Sequence, residues 1–290
     1  MVKQINRLAW VTAREARGRD EDEQLALTAL AEAGVTVDVV DWDDQDVDWA
    51  AYDRVVLRST WDYPERLAEF LAWVDEVAQL TELVNPPALV RWSLDKRYLA
   101  ELDAAGVPIT PTVFVAPGTQ ADLPDEEFLV KPAVGAGSRE VVAYGAEDHA
   151  AAAAHIARLH AAGNVALVQP FLKSVPVDGE WPMVFFEGRL SHAASKRVEL
   201  PQAGAVDNLF AVETTAAHTA SAEQIEAAQA AMDLVVERLG TPTYARVDLV
   251  RDNDGSYCVL ELELVEPSLF LPEAEPGAAD RLAAALTRTV

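Results

Sequence analysis

The chain has 290 residues, enough for one large domain or two modest ones with a sizeable buried core. Its 48 acidic residues against 23 basic ones give a net charge of −25, which disfavours nucleic acid and anionic membrane as partners. Half the residues are hydrophobic, yet no apolar run approaches a bilayer span and the opening MVKQINR has no signal-peptide core, so a cytoplasmic globular protein is expected.

Residues 7–12 read as a short apolar strand, 22–33 carry helical spacing stopped by Gly34, and 35–40 and 53–58 are strands joined by an acidic connector at 41–49. Ligands of such α/β layers gather at the C-terminal ends of the strands. The cluster RSTWDY lies at such an end, ahead of a helix at 64–78, and it makes Arg58, Ser59 and Asp62 candidate substrate residues. Arg58 can hold a carboxylate or carbonyl there, or can pair with a nearby acid such as Asp62.

Asn85-Pro86-Pro87 marks a boundary between an N-terminal α/β domain, 1–85, and the remainder, 86–290. A helix at 92–105, ended by Gly106, carries Lys96, which on a helix is usually just solvated. Only five lysines occur (Lys3, Lys96, Lys131, Lys173 and Lys196), so Lys131, closing the apolar run FLVKP, stands out. The loop AVGAGSR follows at 133–139, and its glycines let backbone N–H groups approach a phosphate closely, although a plain hairpin has the same pattern. The spacing is not that of a Walker loop. Next come a strand at 140–144, a helix at 149–162 and the strand VALVQPF at 165–171. A hairpin about Gly188 (181–187 and 189–195) ends at Lys196-Arg197, 200–208 is irregular, and helices span 221–239 and 280–289.

Between those last helices lies a β-hairpin, 244–251 and 256–265, turning at Asp252-Asn253-Asp254-Gly255. Alternation puts Arg246 and Asp248 on one face of the first strand, with Val247 and Leu249 on the other. In the second strand it groups Cys258, Leu260, Leu262 and Leu264 as the apolar face and sets Glu261 and Glu263 opposite, beside Val259 and Val265. Asp248 then falls within a residue or two of Glu261. Such a polar face is either the solvated side of an antiparallel sheet or a cation site. Carboxylates in an open cleft suit Mg²⁺ bound with a phosphate-bearing substrate. The single Cys258 excludes an internal disulfide and reads as a buried structural thiol, and the five histidines form no zinc spacing.

The order Lys96, Lys131 before a glycine loop, Gln169-Pro170-Phe171-Leu172, Glu180, then RVDLV…VLELELVEP resembles the ATP-grasp superfamily of ligases over about residues 86–290. VVLRSTWDYP and VEPSLFL are most similar to the O-ureido-serine cyclo-ligase group of cycloserine biosynthesis, an antibiotic pathway. The resemblance implies an α/β (α+β) ATP-grasp fold preceded by a small α/β domain, with an ATP-lid subdomain at about 110–172 and a metal and catalytic subdomain at 173–290. It further implies that Lys96 and Lys131 hold ATP phosphates, that Gln169, Phe171 and Leu172 form the adenine hinge, and that Glu180 takes the ribose. Asp248 and Glu261, with Glu263 as a third carboxylate, would hold two Mg²⁺. Arg246 would stabilise an acyl phosphate and the tetrahedral intermediate, with Lys196 near the transferred phosphate.

Two positions depart from the superfamily pattern: Glu263 stands where asparagine is usual, and 201–208 lacks a common glycine pair. The implied activity is ATP-dependent carboxylate–amine ligation through an acyl phosphate, on a small amino-acid-like substrate. It is either ring closure of an O-ureidoserine-type compound or joining of two amino acids or a peptide. A nucleotide-binding module without catalysis is the alternative of another class. A homo-oligomer is compatible with either.

Overall fold

The computed structural model describes residues 4–137, 139–198 and 213–289. The chain begins with a parallel sheet of order β2-β1-β3-β4, built from β1 (Arg7–Thr12), α1 (Glu23–Glu32), β2 (Thr36–Asp41), β3 (Arg54–Ser59), α2 (Leu67–Leu80) and β4 (Glu82–Leu83). Leu8, Ala9, Trp10 and Val11 are all fully buried, as expected of a strand covered on both faces. On one face Trp42, Phe70, Trp73 and Val77 pack against Val55 and Leu57.

Asn85 does not sit in a loose linker. It is buried with φ 57°, its amide donates to the carbonyls of Tyr244 (2.8 Å) and Leu264 (2.7 Å), and its carbonyl oxygen accepts from Thr243 N–H (2.8 Å). The helix expected at 92–105 is two helices, α3 (Pro87–Leu94) and α4 (Tyr98–Ala104), with Lys96 in the break between them. Lys96 N–H there donates to the Ala133 carbonyl (2.9 Å), which a continuous helix would prevent.

An antiparallel sheet of order β5-β8-β6-β7 follows, from β5 (Val113–Val115), β6 (Phe128–Pro132), β7 (Val142–Tyr144) and β8 (Ala166–Pro170). Helix α5 (His149–Ala161) covers one face, and Phe128, Val130, Ile156 and Leu159 form a core of its own.

The short α6 (Val175–Asp178) leads into the central sheet, order β11-β10-β9-β12-β13. Its strands are β9 (Trp181–Phe186), β10 (Arg189–Val198), β11 (Glu213–His218), β12 (Tyr244–Arg251) and β13 (Tyr257–Glu263). Lys196 and Arg197 therefore lie within β10, not at its end, and β11 is an unforeseen edge strand. The loop expected at 200–208 falls outside the described residues. Helix α7 (Ala222–Leu239) lays Ala228, Met232 and Val235 on Met183, Phe185, Val247 and Leu262. On the opposite face Val184, Phe186, Ala194 and Tyr244 share one core with Trp10 and Val56 of the first sheet, with α1, and with α8 (Ala278–Thr287). The first and central sheets are thus one packed body. Among the described residues no helix is long and apolar enough to cross a membrane.

Candidate active site

A cleft of about 1190 Å³ opens between the β5–β8 sheet and the β12–β13 hairpin. The hairpin turns as its Asp-Gly pair requires, with Gly255 at φ 93°. In its register Arg246 faces Glu263 and Asp248 faces Glu261 directly. The register then shifts between Asp248 and Leu249, so that Leu249 meets Val259 and Leu260 is the extra residue of a bulge. This overturns the expected single apolar face. Val259, Leu262 and Leu264 point to the α7 side, whereas Cys258 packs with Leu172 and Val250, Leu260 packs against them, and Leu260 lines the cleft. Cys258 is a buried thiol pushed up to about 11 by that burial.

Arg246 organises the carboxylates. Its Nε and Nη2 donate to the two oxygens of Asp248 (2.8 and 3.0 Å), Nη2 also donates to Glu263, and Nη1 donates to the Ser268 carbonyl (3.0 Å). Lys96 Nζ pairs with Glu261 (2.8 Å) and donates to the Gly135 carbonyl (2.9 Å), tying the hairpin to the glycine loop. Lys196 Nζ pairs with Glu180 (2.8 Å) and reaches Asp248 at 3.9 Å. Burial alone would lower this ammonium, but Glu180 and Asp248 outweigh it and hold the pKa high. Gly179 makes the crossing possible: at φ 82°, a Cβ there would stand 2.5 Å from the Lys196 carbonyl, which accepts from Glu180 N–H at 2.7 Å.

Lys131 differs from the other cations. It is only 6% exposed and lines the cleft, and its Nζ makes no hydrogen bond or ion pair among the described residues. Burial lowers its pKa, with Glu261 opposing and Lys96 and Lys196 adding to the effect. The carboxylates show the complementary imbalance. Burial would raise Glu261, but Lys96 and Lys131 bring it down to about 2. Burial raises Glu263 to about 7, with Glu261 and Asp248 adding to the rise against Arg246. It raises Glu266, beside Glu263 and hydrogen-bonded by Tyr63, to about 8.

On the nucleotide-candidate side, Gln169 is buried, donates from Nε2 to Thr112 Oγ1 (2.8 Å), and leaves its Oε1 without a partner at the cleft wall. Phe171 and Leu172 also line the cleft, although Phe171 N–H is already given to the Glu127 carbonyl (2.9 Å). In the glycine loop, Gly135 and Gly137 line the cleft, Arg139 pairs with Glu65 across it, and Ser138 lies outside the described residues.

Three expected substrate residues are placed elsewhere. Arg58, 1% exposed, donates from Nη2 to Asp22 (3.2 Å) and to the Pro267 carbonyl (2.9 Å); its acidic neighbours are Asp20 and Asp22, not Asp62. Ser59 donates to Thr12 Oγ1 (2.7 Å), and Asp62 accepts from Trp42 Nε1 (2.8 Å) and Arg66 (3.3 Å). None of the three lines the cleft; their neighbours Trp61 and Tyr63 do. The cluster was legible and the side of the chain was not. Glu266 also went unforeseen, because it lies beyond β13, where alternation no longer assigns a face.

Hard oxygen donors buried together, so that burial and then the neighbouring carboxylates raise Glu263 and Glu266, fit a divalent cation such as Mg²⁺. A buried lysine side chain and an amide oxygen that have no partner among the described residues fit a phosphate and an N–H donor of a nucleotide. Among the described residues no three acidic, His or Cys groups are preassembled around a metal position, since Asp248 and Glu261 are turned to Arg246 and Lys96.

Two antiparallel sheets clasping such a cleft define an ATP-grasp ligase. The fold is similar to the D-alanyl-alanine synthetase A of Vibrio cholerae (TM-score 0.66, 15% identity, 98% of each chain) and to a RimK-domain ATP-grasp protein of Sphaerobacter thermophilus (TM-score 0.62, 20% identity, 96% of this chain and 98% of that one). A crystal structure of D-cycloserine synthetase DcsG matches with TM-score 0.89 at 41% identity over 97% of this chain and 99% of that one. The cycloserine biosynthesis protein DcsG of Streptomyces lavendulae is 42% identical across 93% of this chain and 95% of its own, and the family model for the DcsG N-terminal domain matches residues 8–85. The chain belongs to the D-cycloserine synthetase DcsG family.

Proposed function

We propose that this ligase uses ATP to activate the carboxylate of a small amino-acid derivative as an acyl phosphate, which an amine-type nitrogen of the same molecule attacks to close a ring. An O-ureidoserine-type compound is the preferred substrate. The observation that carries the nucleotide part is Lys131, a buried cation at the cleft with no anion paired to it among the described residues. The substrate class is supported by the likeness to D-cycloserine synthetase along nearly the whole chain.

A carboxylate is a poor electrophile, and phosphorylation gives it a leaving group. The substrate carboxylate oxygen takes the terminal phosphoryl group of ATP and ADP departs. The nitrogen then forms the new C–N bond, and phosphate leaves with the former carboxylate oxygen. Lys96, Lys131 and Lys196 would receive the phosphates, and Gln169 Oε1 would accept from the base. Arg246, fixed by Asp248 and Ser268, would face the negative charge that grows on the carbonyl oxygen. Asp248, Glu261 and Glu263 would hold Mg²⁺, which shields the phosphate charges. Glu180 would take the ribose. Trp61 and Tyr63, with Glu266, replace Arg58, Ser59 and Asp62 as the substrate-side wall.

The test is mass spectrometry of reactions containing ATP, Mg²⁺ and a panel of amino-acid derivatives including O-ureidoserine, with ADP release followed alongside. Expected is a product one water lighter than its substrate, or that ring after hydrolysis of its carbamoyl group. A product joining two substrates would move the chain to intermolecular ligation. No nucleotide binding at all would overturn the proposal.

A further inference from the structure

We propose that Asp22, held in place by Arg58, is a positioning residue for Arg246, acting through the segment 267–271 that crosses from the hairpin to α8. The inference rests on the ligase function above for the role of Arg246, but its geometry is independent of it.

The segment is pinned at successive backbone groups by side chains from three elements. Arg58, at the end of β3, donates to the Pro267 carbonyl (2.9 Å). Asp22, just ahead of α1, accepts from Leu269 N–H (2.5 Å) on one oxygen and Leu271 N–H (2.8 Å) on the other. His192 of β10 donates from Nε2 to the Leu269 carbonyl (2.6 Å). Between these contacts the Ser268 carbonyl accepts from Arg246 Nη1 (3.0 Å), and the Phe270 ring lies 5.6 Å from the same guanidinium. Phe270 holds φ 51°, a left-handed conformation that a non-glycine residue keeps only when its surroundings impose it. Asp22 imposes it by capturing the N–H groups on both sides of that residue.

A carboxylate is the one side-chain group that offers two acceptors and no donor at that spacing. Arg58 fixes the carboxylate in turn (3.2 Å), stacked 5.2 Å from Trp10 and 5.6 Å from Tyr244. Asp22 and Arg58 are 2% and 1% exposed; Asp22 borders the cleft, and its hold on Arg246 runs through the backbone of 267–271. A residue of the first sheet layer thereby sets the orientation of an arginine on the central sheet.

The test is Asp22→Asn, which keeps one acceptor and turns an N–H toward the other backbone N–H. Hydrogen exchange at Leu269 and Leu271, affinity for a non-hydrolysable ATP analogue, and kcat against KM are measured together. Expected are loss of protection confined to 267–271, unchanged analogue affinity, and a kcat lowered roughly ten- to hundredfold through misplacement of Arg246. His192→Asn loosens the same segment without disturbing Asp22 or Arg58, so it should reproduce the kcat loss even if Asp22→Asn folds poorly. An unchanged kcat despite lost protection, or losses of analogue affinity and kcat in equal measure, would overturn the proposal. A wild-type chain with protected amides and no product across the panel would instead contradict the ligase function.

Discussion

Two four-stranded sheets flank the central one, and they are attached to it by different chemistry. The first, β2-β1-β3-β4, shares a hydrophobic core with the central sheet and is stitched to it by buried polar groups: Asn85 to the strand carbonyls, Tyr244 Oη to the carbonyls of Leu57 (2.8 Å) and Val265 (2.9 Å), and Arg54 to the Leu286 carbonyl (2.7 Å). The second, β5-β8-β6-β7, has a core of its own under α5, sets Leu167 and Phe114 against the α7-side core of the central sheet, and faces the hairpin across the cleft, where Lys96 bridges Glu261 and the Gly135 carbonyl. Buried polar junctions are costly to open because each group loses its partner. A sheet with its own core can shift over a cleft and keep that core intact. The first sheet is the wall of the site fixed by buried polar groups, and the second is the wall that also keeps a core of its own.

The largest effect should come from the hairpin face that both walls serve. Asp248→Asn with Glu261→Gln should lower turnover by at least about a thousandfold while the fold survives, read by ADP release and circular dichroism. Next, Asn85→Ala should cost roughly 2–4 kcal/mol of global stability by orphaning three backbone groups and straining φ 57°, read by urea denaturation. A loss confined to the first sheet would break the single-body account. Lys131→Ala acts on the other wall: nucleotide affinity should fall about ten- to hundredfold, while the melting temperature of the free protein holds or rises, because an unpaired buried charge is removed. A lowered melting temperature would contradict that pairing.

The smallest effect is in pH. Burial lowers the pKa of His192, on the fixed side, and of His155, under the second sheet, below the usual 6.5. Each folded imidazole resists protonation more than its unfolded counterpart, so both contribute stability above pH 6.5 that is lost as pH falls through the folded pKa. His155→Gln should flatten the acid limb for exchange within the second sheet only, and His192→Gln should flatten it for global unfolding.

How much of this was legible in the sequence depends on how local each cause is. The hairpin, its cross-strand Asp248–Glu261 pair and the cleft lysines follow from alternation and from a known family order. The bulge at Leu260 left no trace, because one extra residue changes no composition yet reverses the face of everything beyond it. The helix break at Lys96 and the inward turn of Asn85 are set by partners far along the chain, at Ala133 and Leu264. Arg58 has the chemistry of a substrate clamp, but Asp22 claims it, and no spacing rule links residues that distant. The second sheet's strands were legible, whereas its separate core was not, since core membership depends on how α5 docks.

The central claim is that this cleft activates a carboxylate by phosphorylating it, and isotope transfer reads that step directly. With ¹⁸O in the substrate carboxylate, released inorganic phosphate should carry one labelled oxygen for each product formed. Product formed with unlabelled phosphate, or with AMP in place of ADP, would contradict it.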